Sequence, residues 1–388
     1  MTYDFDTILD RRETNSLKWD VAEGELPMWV ADMDFRAATE ITEAVVKRAA
    51  TGVFGYSIVP AEFRRAVSRW WTTRYDWAVD PAWVDFCDGV VPAISSLVRT
   101  LTAPGEGVVV QSPVYNCFYS SIRNSGRTVL VNDLLYIDGR FRIDWPDLEA
   151  KLADPKARVL LLCNPQNPTG DLWTSAELAD LGALAAANDV VVIADEIHCD
   201  ITEPGVRYQP FAAVDAVCEQ NSITLVSPTK AFNIPGLQTS AVIAANPELR
   251  ERAIAGLNRD EIAEPNVFAV EAAVTAYTVG VEWLDEMRHY VWRNRARLEQ
   301  FVAEQIPDLH VIPSQATYLA WIDCGGLGED SQDFCAFLRQ ETGLVLSAGE
   351  IFGDNAHTFV RMNLACPATM LDDGLDRLYR GVAAWKKR

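Results

Sequence analysis

The chain has 388 residues, 49% hydrophobic and 23% charged, which excludes a disordered polypeptide and leaves room for two or three domains with cores of their own. Lys and Arg total 34 against 55 Asp and Glu, a formal charge of −21. A field of that sign repels nucleic acid and anionic membrane surfaces, although it does not forbid a small anion held by local donors. Residues Met1 to Asp10 carry Asp4, Asp6 and Asp10 and no basic, apolar leader pattern, and no run of 18 apolar residues occurs. The expectation is therefore a cytoplasmic protein that neither spans nor coats a membrane. Eight cysteines are scattered without paired-ligand spacing, so they read as reduced thiols, with no metal centre and no disulfide framework.

Helix and strand signals alternate along the chain. A helix is predicted from about Pro92, with Gly89 marking a tight entry turn and Ile94, Leu97, Val98 and Leu101 forming a core-facing stripe. Gly107 to Gln111, Val159 to Cys163, Val190 to Asp195, Ile223 to Ser227 and Ala241 to Ala245 are continuous apolar runs, the pattern of strands covered on both faces. Between the second and third of these, Thr174 and Glu177 make a capping box ahead of Leu178, Leu181 and Leu184, which predicts a helix. Strand, helix, strand in that order implies right-handed crossovers and a mainly parallel sheet flanked by helices. From about Val281 the pattern changes to one long helix (Glu282 to Ala303) and shorter elements around Tyr318 to Asp323 and Phe359 to Leu364. The predicted organisation is an α/β large domain over 40–280, with 1–39 and 281–388 forming a smaller α+β domain.

Ligands of such sheets lie at the carboxyl ends of strands. There the sequence places Ser112-Pro113-Val114-Tyr115, then Asn164-Pro165-Gln166-Asn167-Pro168-Thr169-Gly170, then Asp195-Glu196-Ile197-His198, then Ser227-Pro228-Thr229-Lys230. Taken singly, each has a duller reading: Lys230 a solvated lysine, Asp195 an N-cap, Asn167 an Asx turn, Tyr115 core packing, His198 a structural histidine. As an ordered set they suit pyridoxal phosphate. A Lys forms a Schiff base with an aldehyde, an Asp pairs with a protonated pyridine nitrogen, an Asn donates to a phenolate oxygen and a Tyr stacks on the ring. Ser227 and the backbone N–H groups at the helix entrance can take the phosphate.

With these segments the chain resembles the fold-type I pyridoxal-phosphate enzymes of the aspartate aminotransferase superfamily. MWVADMDF at 28–35, VFGYS at 53–57, GVVPA at 89–93, KAFNIPGL at 230–237 and RMNLACP at 361–367 resemble its MalY/PatB branch, bacterial C–S β-lyases acting on cystathionine and cysteine conjugates. The resemblance runs from about Asp4 to the C-terminus. It implies that Lys230 holds the cofactor, Asp195 pairs with its ring nitrogen, Asn167 donates to the ring hydroxyl with His198 nearby, and Tyr115 stacks on the ring. It also implies that Val90, Val91 and Ser227 cradle the phosphate, that Tyr56 reaches the phosphate of a neighbouring subunit in a homodimer with shared sites, and that Arg361 clamps the substrate carboxylate. One departure stands out: many aminotransferases have an Arg eight residues after the Schiff-base lysine, where this chain has Gln238. The activity so implied is β-elimination of L-cystathionine or another S-substituted cysteine to a thiol, pyruvate and ammonia. An aminotransferase using the same residues is the first alternative, and a regulatory protein with secondary lyase activity the second.

Overall fold

The computed structural model of the chain describes residues 2–328 and 330–388. A seven-stranded sheet forms its centre, in the order Val84–Cys87, Ser240–Ile243, Ser222–Val226, Val191–Asp195, Ala157–Cys163, Gly107–Ser112 and Thr128–Asp133. Six of these strands point the same way, and only Ser240–Ile243 runs against its two neighbours. All five predicted runs fall in this sheet, with ends shifted by a residue or two. Their central residues, such as Val108 to Val110, Leu160 to Leu162 and Val192 to Ala194, are fully buried, because helices cover both faces.

The capping box is present: Thr174 Oγ1 accepts from the Glu177 N–H, and the Glu177 carboxylate accepts from the Thr174 N–H, opening the helix Ser175–Ala187. The helix expected from Pro92 begins two residues earlier and spans Val90–Leu101, so Pro92 is its third residue. Gly89 precedes it in extended backbone, φ 177°, and not in the left-handed conformation that a glycine-dependent turn uses. The antiparallel direction of Ser240–Ile243 was not legible. A short apolar run carries no sign of direction, and this strand returns without a crossover helix.

A second, antiparallel sheet has the order His310–Val311, Leu319–Asp323, Phe359–Asn363 and Ser347–Ala348. The helices Ser331–Thr342 and Ala368–Trp385 contribute buried side chains to the core beside it, and the long helix Val281–Gln305 leads into it. The N-terminal segment joins this sheet: Leu26–Pro27 pairs with Leu344–Val345, the Asn363 N–H donates to Met28 O, and the Asp34 N–H donates to Ala365 O. Residues 28–35 thus pass between the second sheet and the end of the first. Among the described residues, no helix is long and apolar enough to cross a membrane.

Candidate active site

The carboxyl ends of the six co-directional strands lie along one edge of the large sheet. Cys163 and Asp195 are register partners there, as are Asp195 and Leu225. Val84–Cys87 ends at the same edge, so the following Gly89, Val90 and Val91 arrive beside Asp195. Because Ser240–Ile243 runs the other way, its entry residues Gln238 and Thr239 are delivered to that edge too. A cavity of about 220 Å³ opens at this place, lined by Lys230, Asp195, Asn167, His198, Tyr115, Val90 and Val91, together with Ala31, Asp88, Thr229, Gln238 and Thr239.

The loops are stapled from outside their own sequence. Gln166 donates from Nε2 to Gln111 O (3.1 Å) and Pro113 O (2.7 Å), which holds the Asn167 loop against the Tyr115 loop. Asn233, three residues after Lys230, accepts from the Met33 N–H (2.9 Å) and donates to Met33 O and Phe35 O. The segment 28–35 is thereby fastened to the lysine loop. Its other anchors are Asn363, donating to Val30 O and Asp32 O, and a buried ion cluster in which Lys18 and Arg11 both meet the Asp34 carboxylate.

Lys230 Nζ donates to Ala31 O at 2.7 Å, an acceptor shared with the Tyr318 hydroxyl at 3.0 Å. Burial lowers the Lys230 ammonium to about 8, with Arg361 pushing the same way against Asp32 and Asp195. Burial raises the Asp195 carboxyl to about 7, opposed by the Ile197 N–H that it accepts (3.1 Å) and by Lys230. A cationic N–H placed against Asp195 would return it to the ionised form. Burial, with Lys230 and Arg361 nearby, holds His198 down at about 3, so its imidazole is neutral, and its Nδ1 is buried without a partner. Burial pushes the Tyr115 hydroxyl above its ordinary range.

Arg361 is 5% exposed and belongs to the second sheet. It donates from Nη1 to Asn167 Oδ1 (3.1 Å) and from Nη2 to Trp29 O (3.0 Å), and its guanidinium lies 4.6 Å from the Phe352 ring centroid. Nε has no partner. Burial lowers Arg361 to about 10, so it keeps its charge at neutral pH.

Besides Arg361, which reaches the cavity through Asn167, two of the sequence-predicted residues do not line it. The Ser227 hydroxyl donates to Thr239 O (2.7 Å) and contacts Thr229 Oγ1 (2.7 Å), so its single proton is spent within the chain and the residue does not line the cavity. Thr229 lines it instead; the Ser-x-Thr-Lys spacing points to both hydroxyls, and only the tertiary contact with Thr239 separates them. Tyr56 is fully exposed in a stretch without helix or strand, 52–60, where Val53, Phe54 and Ile58 are exposed as well, and it takes no part in this cavity. Asp88 was not anticipated. It lines the cavity with a carboxyl raised by burial and by Glu264.

The donor set can accept pyridoxal phosphate. The Val90 and Val91 N–H groups, at the start of a twelve-residue helix, have no acceptor among the described residues and suit an anion. An amine, a carboxylate, a neutral imidazole with an orphaned nitrogen and the side-chain amide of Asn167 surround the remaining space. Fold and site together define a protein of the fold-type I pyridoxal-phosphate class. The chain belongs to the aminotransferase class I and II family, whose model matches residues 26–378. It is 39% identical over 381 residues to cystathionine beta-lyase PatB of Bacillus subtilis, covering 96% of this chain and 98% of that one. Cystalysin of Treponema denticola, whose crystal structure contains pyridoxal 5'-phosphate, superposes with a TM-score of 0.95 at 32% identity over 99% of this chain and 100% of that one. The PLP-bound C–S lyase of Staphylococcus hominis superposes with a TM-score of 0.92 at 30% identity over 98% and 99%.

Proposed function

We propose that this chain is a pyridoxal 5'-phosphate-dependent C–S β-lyase that eliminates a thiol from L-cystathionine or another S-substituted cysteine. The observation that carries the assignment is one buried cavity uniting the Lys230 amine, the Asp195 carboxylate and the acceptor-free N–H pair of Val90 and Val91, with Asn167 linking it to Arg361. The relatives named cystathionine beta-lyase and C–S lyase support the same reading.

Bound there, pyridoxal phosphate supplies an electron sink for negative charge formed at the substrate Cα. Asp195 would hold the ring nitrogen, Asn167 would donate from Nδ2 to the ring hydroxyl, Tyr115 would pack against the ring, and Val90, Val91 and Thr229 would take the phosphate. Lys230 Nζ would hold the cofactor and, once free of it, would take up the Cα proton. Its ammonium is lowered to about 8 by burial, which makes the neutral base accessible near physiological pH. Arg361 grips the substrate carboxylate and so sets which Cα bond faces Lys230. The Cβ–S bond would then break, its electron pair leaving with the sulfur as a thiolate that takes up a proton to become the thiol. The remaining three-carbon fragment takes up water and yields pyruvate and ammonia.

The active unit is a homodimer in which Tyr56 reaches the partner's phosphate site. Its full exposure beside Val53, Phe54 and Ile58 supports this, since an apolar stretch of that kind is suited to burial against a second copy. The chain divides into a large domain over 40–280 and a small one made of 1–39 and 281–388, and it works in the cytoplasm. The deciding experiment incubates the cofactor-loaded enzyme with L-cystathionine and no keto acid. Pyruvate, ammonia and free thiol are expected in equal amounts. Turnover that depends strictly on an added keto acid, with no thiol released, would replace the lyase by an aminotransferase.

A further inference from the structure

A larger cavity, about 690 Å³, lies apart from Lys230, between the long helix Val281–Gln305, the loop after His198 and the segment leading into the second sheet. None of its lining residues is among those lining the site around Lys230. Its floor is Arg295, 3% exposed, whose Nη2 donates to Leu319 O (2.9 Å) while Nε and Nη1 have no hydrogen-bond partner among the described residues. Glu299 Oε1 lies 3.9 Å from Nη1, within ion-pair range but too far for a hydrogen bond. Burial lowers Arg295 to about 10, against the pull of Glu299 and Glu203, so the guanidinium stays charged. A charged group with two idle donor nitrogens under an open cavity is an expensive arrangement unless something completes it.

The rim indicates what would do so. Arg140 and Arg293 stand over the floor, Arg293 with its guanidinium 4.9 Å from the Tyr290 ring centroid, and Glu203 and Glu299 share the wall. Three guanidiniums and two carboxylates line this cavity, in a chain whose formal charge is −21. Trp292 and Pro313 supply an apolar side. We propose that this cavity is a second binding site, for a small organic monocarboxylate with an apolar body. The carboxylate meets Arg295 at the floor and the body lies against Trp292.

The wall opposite the helix connects to the first site. The Gln315 and Ala316 N–H groups both donate to Gly170 O (3.0 Å each), and the Glu203 N–H donates to Gln315 O (2.8 Å). Gly170 has φ +76°, and a Cβ there would lie 2.0 Å from Ser314 Oγ, so the wall is built against a residue that has to be glycine. A ligand in this cavity therefore touches Glu203 and Pro204, which follow His198 in the chain, and Gln315, which is hydrogen-bonded to Gly170 at the end of the Asn167 loop.

The test is titration calorimetry of the cofactor-loaded enzyme with 3-phenylpropanoate, which lacks an amine and cannot react at the cofactor. An Arg361→Lys background weakens carboxylates at the first site. One saturable event per chain is expected in that background, weakened at least about tenfold by Arg295→Gln and by Arg140→Glu, and tightened by Glu299→Gln, which removes a competing carboxylate. The uncharged 3-phenylpropanamide should not bind. If Arg295→Gln proves unstable, Arg140→Glu, on the exposed rim, still decides. The proposal is overturned if no saturable event occurs, if the event survives both arginine substitutions, or if the amide binds as well as the acid. Inorganic phosphate binding as tightly as the carboxylate would overturn the monocarboxylate assignment.

Discussion

Replacing Arg361 by Lys separates substrate binding from cofactor binding. The guanidinium uses one N–H on Asn167 Oδ1 and one on Trp29 O, which leaves three of its five for a substrate carboxylate. An ammonium has three N–H groups in all, so serving the same two acceptors leaves one. The substrate then loses one charge-assisted hydrogen bond, about 1.5–3 kcal/mol, and kcat/KM for L-cystathionine should fall about 10- to 150-fold. Arg361 does not line the cofactor cavity, so cofactor affinity should change by less than about threefold. Pyruvate release coupled to lactate dehydrogenase gives the first quantity, and fluorescence titration of the cofactor-free protein gives the second. A melting curve close to wild type would show that the fold is intact. Equal losses in both affinities, or a fall in kcat/KM below about threefold, would refute the carboxylate role.

Three other outcomes follow from the same geometry. Lys230 has a native value near 8 against 10.5 unfolded, so below pH 8 the cofactor-free fold holds a buried ammonium at a cost that disappears as pH rises from 8 to 10.5. Lys230→Met should stabilise the cofactor-free protein at pH 7 by at most roughly 3 kcal/mol, an upper value because Lys230 is part-exposed to the cavity, and should flatten its stability between pH 8 and 10.5; an unchanged pH slope in denaturant titrations would contradict this. Burial raises Glu196 to about 8, with Oε1 accepting from the Phe211 N–H, so its contribution to stability falls as pH rises from its ordinary value through 8. Glu196→Gln should therefore raise the melting temperature most above pH 8 and leave turnover near wild type; a gain equal at pH 5 and pH 9 would show that burial of charge is not the cause. Mixing inactive Lys230→Ala chains with inactive Tyr56→Phe chains should restore up to about a quarter of the wild-type sites, since half the dimers are mixed and each holds one intact site. Mixed dimers, verified by native mass spectrometry, that remain inactive would rule out the shared site.

Much of the frame was legible because it rests on local signals. Continuous apolar runs mark strands buried on both faces, and the residues that follow them must emerge at the carboxyl edge. That logic identifies Asn167, Asp195 and Lys230 without any knowledge of long-range contacts. The Thr174 and Glu177 capping box is equally local, closed by bonds three residues apart.

What only the tertiary structure decided involves partners far apart in sequence. Asn233 bonds to Met33 across 200 residues and Arg361 to Asn167 across 194, and nothing in the local pattern of either residue reveals the other. The reversed strand Ser240–Ile243 brings Thr239, together with the Gln238 that the resemblance had singled out, to the edge where the parallel strands end. Its Thr239 carbonyl takes the Ser227 proton and leaves the cavity to Thr229. Arg295 reads in sequence as one basic residue on an Arg-rich helix. Its idle donors exist because the chain returns at Leu319 to bury it and binds only one of its nitrogens. Periodicity records which side of an element is apolar; which polar groups a buried face leaves without partners depends on what the rest of the chain packs against it.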